Sequence, residues 1–306
     1  MTKPVLVTGI HRSGSTWVGR MLALSSKIVY IHEPFNPENY RPEICSTKFR
    51  LWFTYIAPEI EGPYYSPLKK TVGLQYNLAA ALARSRHLRG AARRISHYLQ
   101  FSLARIQHKT ALIKDPIAVF SSEWLASRLG LQPVVLIRHP AAFTASLIKQ
   151  NWTFTFDHFL KQPLLMEHYL HPFEAEISQY TQREMPLLDQ ACLLWKIIYS
   201  VVGQFQDNHP DWLFVRHEDI SREPAASFEN LYSALGLKFT DEIRQQIEAS
   251  SNSENPSEAA SASDKFKRSS KAIVHNWKTR LSQDDIAYIR SCVEPIASRY
   301  YSDTDW

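Results

Sequence analysis

Short apolar runs alternate with amphipathic stretches along most of the chain. Five runs have the length and composition of strands that are buried on both faces: 5–8, 28–31, 111–114, 134–138 and 213–216. Helices are predicted to begin near Ser15, Ala118, Pro140, Leu188, Pro224, Asp241 and Gln283. This alternation predicts a single α/β domain over residues 1–306, with a central parallel sheet and helices on both faces.

The last predicted helix carries clear signals at both ends. Ser282 and Asp285 have the spacing of a capping box at its start. An apolar stripe continues from there to Ile296, and Pro295 predicts a kink near the end.

Three segments depart from the alternation. Residues 34–110 form a long insertion that is first rich in Pro and Tyr and then basic and helical, and residues 151–186 are rich in His, Phe, Tyr and Pro. Long irregular segments of an α/β domain commonly form lids or substrate walls, so both are predicted to be acceptor-side insertions. Residues 249–271 begin with few apolar residues and predict a mobile loop.

The segment VTGIHRSGSTW, residues 7–17, connects the first strand to the first helix. Gly9 and Gly14 have the spacing of a phosphate-binding P-loop, and Thr16 stands where that pattern has Ser or Thr, but Ser15 replaces its lysine. Backbone N–H groups and the helix dipole favour an anion at such a turn. With Arg12 as the nearby fixed charge, the loop suits a phosphate-type anion better than ATP with magnesium.

The stretch HRSGSTW resembles the 5′-phosphosulfate loop of the sulfotransferases that use 3′-phosphoadenosine-5′-phosphosulfate (PAPS). The resemblance implies a P-loop-like fold in which Arg12 contacts the bridging oxygen of the leaving group. It also implies cofactor contacts from Ser13, Gly14, Ser15 and Thr16. In some relatives a Trp at the place of Trp17 stacks on adenine, and packing in the core is the alternative for this side chain.

A second motif, PVVLIRHPAAFTASLIK at residues 133–149, is typical of a strand, an Arg-His-Pro turn and a helix. It resembles the family's 3′-phosphate motif, in which an Arg and a Ser, here Arg138 and Ser146, bind the 3′-phosphate. An arginine at the end of a strand can donate two hydrogen bonds to a phosphate, and a serine two helical turns later can face the same side. The alternative is a structural arginine at the sheet edge. Because the 3′-phosphate distinguishes PAPS from ATP, this pair is expected to set cofactor specificity.

Two later stretches extend the resemblance. Residues 213–237, LFVRHEDISREPAASFENLYSALGL, are similar to a strand and helix of the family, with His217 in place of the usual Tyr. Residues 264–282, DKFKRSSKAIVHNWKTRLS, resemble the late loop that folds over the nucleotide. The resemblance assigns cofactor contacts there to Arg268, Ser269, Ser270 and Lys271, although the Arg-Lys-Gly often found in the family is not kept.

The general base is expected in KIVYIHEPFNP, residues 27–37. The strand at 28–31 is predicted to run beside the first strand, which would bring Glu33 near the phosphate loop. Carbohydrate sulfotransferases of similar type carry a Glu-Pro here with the glutamate as base, and the Lys-x-His of aryl sulfotransferases is not found in its place. The resemblance therefore assigns Glu33 as base and favours a glycan acceptor. His32 is the competing base, expected on the opposite strand face, and an ion-paired Glu33 without a catalytic role is a further alternative.

Sulfuryl transfer requires removal of a proton from the acceptor, in-line positioning and stabilisation of the leaving phosphate. Arg12 is predicted to perform the last task. Lys114 is expected to enter the cleft, as a lysine in this area does in related glycan sulfotransferases, and a structural pair with Asp115 is its alternative. No metal is expected, and the histidines near residues 158–171 lack the spacing of a zinc site.

The net charge of +5 is unevenly distributed over the 306 residues. Between Glu61 and Asp115 there is no acidic residue, whereas ten basic residues occur there: Lys69, Lys70, Arg84, Arg86, Arg89, Arg93, Arg94, Arg105, Lys109 and Lys114. Such a block predicts an anionic partner, either a saccharide or a membrane surface, and a solvated helical face is the alternative. No nucleic-acid partner is predicted.

No apolar run has the length of a membrane span. The first predicted strand leaves no room for a signal peptide, so a cytoplasmic location is expected. The three cysteines, Cys45, Cys192 and Cys292, have no C-x-x-C spacing, which argues against a disulfide framework or a zinc site.

Together these features predict a PAPS-dependent sulfotransferase that acts on a hydroxyl group, with a glycan favoured as the acceptor. A protein-tyrosine, small-molecule or lipid acceptor stays open. The rivals from other classes are a nucleotide or sugar kinase with a degenerate P-loop, which the absent lysine disfavours, and a non-catalytic nucleotide-binding protein.

Overall fold

The computed structural model describes residues 2–85, 87–251 and 274–306. Its five parallel strands form one sheet in the order β2-β3-β1-β4-β5. The strand bounds are β1 Val5–Gly9, β2 Ile28–His32, β3 Thr110–Lys114, β4 Gln132–Ile137 and β5 Leu213–Arg216. Each strand predicted from the sequence is present. Because the strands are parallel, all their carboxyl ends lie at one edge of the sheet.

The two faces of the sheet are covered by different apolar clusters. On β1, Val5 and Val7 belong to one cluster and Leu6 to the other, as the two-residue period of a strand requires. The first cluster includes the helices Ser15–Leu22, Pro224–Ala234 and Asp241–Ser251, and the second includes Pro140–Gln150, Leu187–Asn208 and Gln283–Val293. The predicted single α/β domain with helices on both faces is therefore confirmed.

The remaining helices belong mainly to the connections. Within the insertion 34–110 they are Gly62–Val72, Leu78–Ala83 and Leu88–Ile106. Elsewhere they are Ser122–Leu129, Asp157–Leu160, Pro163–Leu165, Glu174–Gln182 and His217–Arg222. None of the helices within the described ranges is both long and apolar enough to cross a membrane.

The helix predicted near Ala118 begins later than expected. A 3-10 helix, Pro116–Ser121, comes first, and the α-helix starts at Ser122. The carboxylate of Asp115 accepts a hydrogen bond from the backbone N–H of Ile117 at 3.2 Å, so the chain turns immediately after β3.

The last helix confirms one prediction and corrects another. The backbone N–H of Asp285 donates to Oγ of Ser282 at 3.0 Å, as the capping box requires. The predicted kink at Pro295 is wrong, because the helix ends at Val293. A proline disfavours helical backbone at the residue before it, and Glu294 is extended.

The prediction that β2 lies beside β1 is also wrong. β2 pairs with β3, not with β1, and β3 separates the two. The residue after β2 consequently meets the end of β3, where the N–H of Glu33 donates to the carbonyl of Lys114 at 2.9 Å.

Candidate active site

The loop after β1 turns into the helix Ser15–Leu22 at the carboxyl edge of the sheet. Gly14 has a left-handed backbone with φ 89°, and a Cβ at this position would lie 2.3 Å from Cδ2 of His217. Gly9 approaches β4 so closely that its Cβ would lie 2.5 Å from the carbonyl oxygen of Leu136. The two glycines therefore allow the tight turn that presents the first N–H groups of the helix to an anion.

The hydroxyl groups of the loop suit a phosphate-type ligand. Oγ of Ser13 is buried and has no hydrogen-bond partner among the residues that the structure describes. Ser15 is buried and Thr16 half-buried at the start of the helix. A buried hydroxyl without a partner is unfavourable, and the oxygens of a 5′-phosphosulfate would satisfy the donors of this loop.

The residues predicted to bind the 3′-phosphate lie beside the same loop. Arg138, directly after β4, donates from Nη1 to the carbonyl of Arg12. Nε of Arg12 in turn donates to Oγ of Ser146 at 3.0 Å. Trp195 and Tyr199 hold the backbone of Arg138, since Nε1 of Trp195 donates to its carbonyl and its N–H donates to the Tyr199 hydroxyl. The structure thus brings together two arginines and a serine from segments far apart in the sequence.

The predicted base pairs with the predicted catalytic lysine. Nζ of Lys114 donates to Oε1 of Glu33, and Nδ2 of Asn36 donates to Oε2 at 2.9 Å. Glu33, the residue after β2, has a left-handed backbone with φ 46°. Its Oε2 therefore lies 3.9 Å from Nε2 of His32. The expectation that His32 and Glu33 face opposite sides is therefore wrong.

Charge and burial set the protonation of this pair. Burial by itself would raise the pKa of Glu33, but the Lys114 ammonium and the hydrogen bonds from Lys114 and Asn36 hold it below its ordinary value. Burial lowers the pKa of Lys114, and the carboxylate of Glu33 partly offsets this effect. Burial, followed by the charge of Lys114, lowers the pKa of His32, so its imidazole is neutral at pH 7.

The carboxylate of Asp115 accepts hydrogen bonds from backbone N–H groups. Within the described residues it makes no hydrogen bond with Lys114. Its Oδ2 accepts from the N–H of Phe35 at 2.7 Å, which fixes the turn after Glu33. Burial, with a smaller contribution from the charge of Glu33, raises the pKa of Asp115 to about 8. The proposed structural pair between Asp115 and Lys114 is replaced by the ion pair of Lys114 with Glu33.

A family model described as the sulfotransferase domain matches residues 2–301. The chain belongs to the sulfotransferase family. The predictions of enzyme class and cofactor are thereby confirmed: the protein is a PAPS-dependent sulfotransferase. A search of curated proteins gave no match.

Several solved sulfotransferase structures are similar to this chain. The sulfotransferase domain from the curacin biosynthetic pathway is similar over 95% of this chain and 97% of that chain, with 15% identity and a TM-score of 0.51. The sulfotransferase domain of the Synechococcus PCC 7002 olefin synthase has 16% identity and a TM-score of 0.45, over 99% of this chain and 97% of its own. Mouse sulfotransferase SULT7A1, complexed with PAP, has 11% identity and a TM-score of 0.44, over 100% and 86%. At these identities the first similarity supports the fold alone.

In the sulfotransferase, the two insertions meet beside the phosphate loop. His11 of the loop lies among Trp52 and Phe53 from residues 34–110 and Trp152 from residues 151–186, with ring centroids 5.9, 5.9 and 5.1 Å away. Burial, and then the charge of Arg12, lowers the pKa of His11 to about 3. The carboxylate of Glu33 has a smaller, opposite effect and raises this pKa.

Described residues on either side of residues 252–273 contact the two motifs that resemble nucleotide-binding segments. Arg268, Ser269, Ser270 and Lys271 lie outside the described residues, so their predicted contacts stay predictions. Of the predicted mobile loop, 249–251 are described, and they end the helix Asp241–Ser251. Nε1 of Trp17 donates to Oγ of Ser250 at 3.2 Å, and Trp277 stacks on His139 with ring centroids 4.8 Å apart.

Trp17 packs within the fold of the sulfotransferase. Its ring meets Phe228 edge-on, at 5.3 Å and 90°. This contact agrees with the core-packing alternative, and stacking on adenine stays a prediction.

Sequence reasoning missed several residues of this site. Asn36 orients Glu33, and His217 packs against Gly14. Trp52 and Trp152 pack against each other beside the loop and form what we call the aromatic wall. The aromatic content of the two insertions was a signal for the tryptophans, but no spacing pattern pointed to Asn36.

Proposed function

We propose that this sulfotransferase transfers the sulfuryl group of PAPS to a saccharide hydroxyl, with Glu33 as the general base. The proposal is carried by the Glu33–Lys114 pair, which lies at the carboxyl edge of the sheet with the phosphate loop. A carboxylate with a lowered pKa is ionised at neutral pH and has a lone pair for the acceptor proton.

The donor set of the loop fits a bisphosphorylated nucleotide. Arg138 and Ser146 would hold the 3′-phosphate, while Arg12 and the N–H groups at Gly14 and Ser15 would hold the 5′ end. PAPS supplies the sulfuryl group when it is bound there. The side chains of this set are hydrogen-bond donors, and two are cations, so the site favours a multiply charged anion.

Each step of the proposed sulfuryl transfer is assisted by a side chain of this site. As the acceptor oxygen forms its bond to sulfur, its proton passes to Oε2 of Glu33, the oxygen that also accepts from Asn36. The bond between sulfur and the bridging oxygen breaks, and the negative charge that develops on the leaving phosphate is stabilised by Arg12. Lys114 orients Glu33 and adds positive charge beside the reacting atoms.

The preference for a saccharide is supported by the aromatic wall. Trp152 is 37% exposed and Trp52 half-buried, and their rings meet edge-on at 5.9 Å. A tryptophan ring can pack against the C–H face of a sugar while the sugar hydroxyls remain free to make polar contacts. We assign residues 34–110 and 151–186 to the acceptor side because both insertions contribute to this wall.

An acceptor screen with radiolabelled PAPS tests the proposal. We expect label on oligosaccharides and none on a tyrosine peptide or a simple phenol. Trp152→Ala should raise the KM for the saccharide, whereas Tyr288→Ala, which removes an exposed ring from the helix Gln283–Val293, should not. Label on phenol or peptide alone would assign a different acceptor, and an unchanged KM in Trp152→Ala would contradict the contact of this tryptophan with the saccharide.

A further inference from the structure

The helix Leu88–Ile106 carries five large aliphatic residues on the side that faces away from the protein. Leu88, Ile95, Leu99, Leu103 and Ile106 follow one another at helical spacing and form an apolar stripe along the whole helix. All five are exposed, with Leu88 at 91%, Leu99 at 59% and Ile106 at 74%. Amphipathic helices of globular proteins normally bury such a stripe, so its exposure indicates a partner.

The opposite side of the helix attaches it to the fold. Ala104 is its buried residue, and Phe101 packs on Tyr76 with ring centroids 5.4 Å apart. Nη1 of Arg94 donates to Oε1 of Glu43 at 2.9 Å. These contacts fix the orientation, so the apolar stripe is presented outward as part of the folded structure.

The borders of the apolar stripe are basic. Arg89, Arg93 and Arg105 are exposed and form no ion pair with any residue in the described ranges. The sequence from Gly62 to Lys114 contains no Asp or Glu that could balance them. An apolar face with a cationic border and no acidic residue is complementary to a surface that is apolar inside and anionic outside.

An anionic lipid surface fits this pattern better than a second copy of the chain does. An isologous dimer through the apolar stripe would bring the arginines of both copies together without an acidic partner. The helix has 19 residues, which gives it a length of about 28 Å. A helix of this kind can lie in the plane of the headgroups, with its apolar side in the acyl boundary and its arginines at the phosphates.

We propose that the helix Leu88–Ile106 is a membrane-docking element that holds the sulfotransferase reversibly on an anionic lipid surface. Docking goes beyond the transfer reaction and does not depend on the identity of the acceptor.

Vesicle co-sedimentation of the full chain tests the proposal. Binding is expected to vesicles of phosphatidylcholine with phosphatidylglycerol and to be weak for phosphatidylcholine alone. Leu99→Ser with Leu103→Ser should reduce binding at least about tenfold. Arg89→Gln with Arg93→Gln should reduce it about fivefold for each arginine.

Two matched variants separate this effect from a general loss of charge or apolar surface. Lys69→Gln with Lys70→Gln removes the same charge from the helix Gly62–Val72, and Tyr288→Ser removes an exposed apolar side chain elsewhere. Both should bind as the wild type does. No binding to anionic vesicles, or equal loss in the matched variants, would overturn the proposal. A dimer that disappears in the Leu99 and Leu103 variant, detected by analytical ultracentrifugation, would assign the apolar stripe to a second copy instead.

Discussion

Lys114 and Glu33 form an ion pair although 81 positions separate them in the sequence. The lysine is completely buried, and a Cβ on Gly19 would lie 3.0 Å from its Cγ. The side chain therefore runs from the end of β3 along the helix Ser15–Leu22 to the residue after β2. The edge strand β2, its neighbour β3 and this helix together hold the proposed base in place.

Replacing Glu33 by Gln is expected to lower kcat by about 10²–10⁴-fold, because a general base contributes a factor of this size. Affinity for adenosine 3′,5′-bisphosphate, measured by calorimetry, should stay near the wild-type value. His32→Gln is the matched variant and should keep most of the activity. Wild-type turnover by Glu33→Gln together with loss in His32→Gln would transfer the role of base to His32.

The pH dependence of kcat should report the pairing of Glu33 with Lys114. The lowered pKa of Glu33 means that the base form persists to acid pH, so the acid limb of the profile should lie below the ordinary range of a glutamate. Lys114→Met removes the positive charge and should move this limb upward. A limb at the same pH in both proteins would show that another group titrates.

Arg138→Ala should weaken binding of adenosine 3′,5′-bisphosphate much more than binding of 5′-AMP. A charge-assisted hydrogen bond contributes about 1.5–3 kcal/mol, which corresponds to a factor of about 10–150. Arg128→Ala removes an exposed arginine that pairs with Glu61 and serves as the control. An equal loss for both nucleotides would mean that Arg138 acts only through its hydrogen bond to the carbonyl of Arg12.

Gly14→Ala and Gly130→Ala separate backbone strain from steric overlap. Both glycines have positive φ, but a Cβ at Gly130 meets nothing within 4 Å, whereas at Gly14 it meets His217. Gly130→Ala should cost about 1–2 kcal/mol in the free energy of unfolding. Gly14→Ala should cost about 1–3 kcal/mol more, and His217→Ala should relieve part of that excess. Equal costs in urea denaturation would contradict the overlap.

Acid should destabilise the protein through His139. Burial lowers its pKa to about 3, below the unfolded value of about 6.5. Stability present above pH 6.5 is therefore lost progressively as the pH falls toward 3, and the loss at pH 5 is about 2 kcal/mol. His139→Phe cannot take up this proton, so its unfolding free energy should fall less between pH 7 and 5. Parallel pH curves for the two proteins would contradict this assignment.

Local patterns were sufficient for the strands, most helix starts and the phosphate loop. A strand buried on both faces requires a continuous apolar run, and a turn such as that at Gly14 requires glycine, so these features are visible in the sequence. Arg12, Arg138 and Ser146 were singled out in the same way, because each lies in a motif that contains its own strand or helix end, and their phosphate contacts stay predictions.

The order of the strands was decided by tertiary packing. No local pattern in β2 indicates whether it pairs with β1 or with β3, because both strands have equivalent backbone groups and apolar side chains. The contact of Glu33 with Lys114 follows from that choice, and so does the error about His32. The meeting of Trp52 with Trp152 over His11 likewise depends on how two insertions fold across the sheet. The sequence by itself determined which chemical groups stand at the ends of the strands, and the sheet decided which of them meet, because pairing between distant strands depends on the packing of the whole chain.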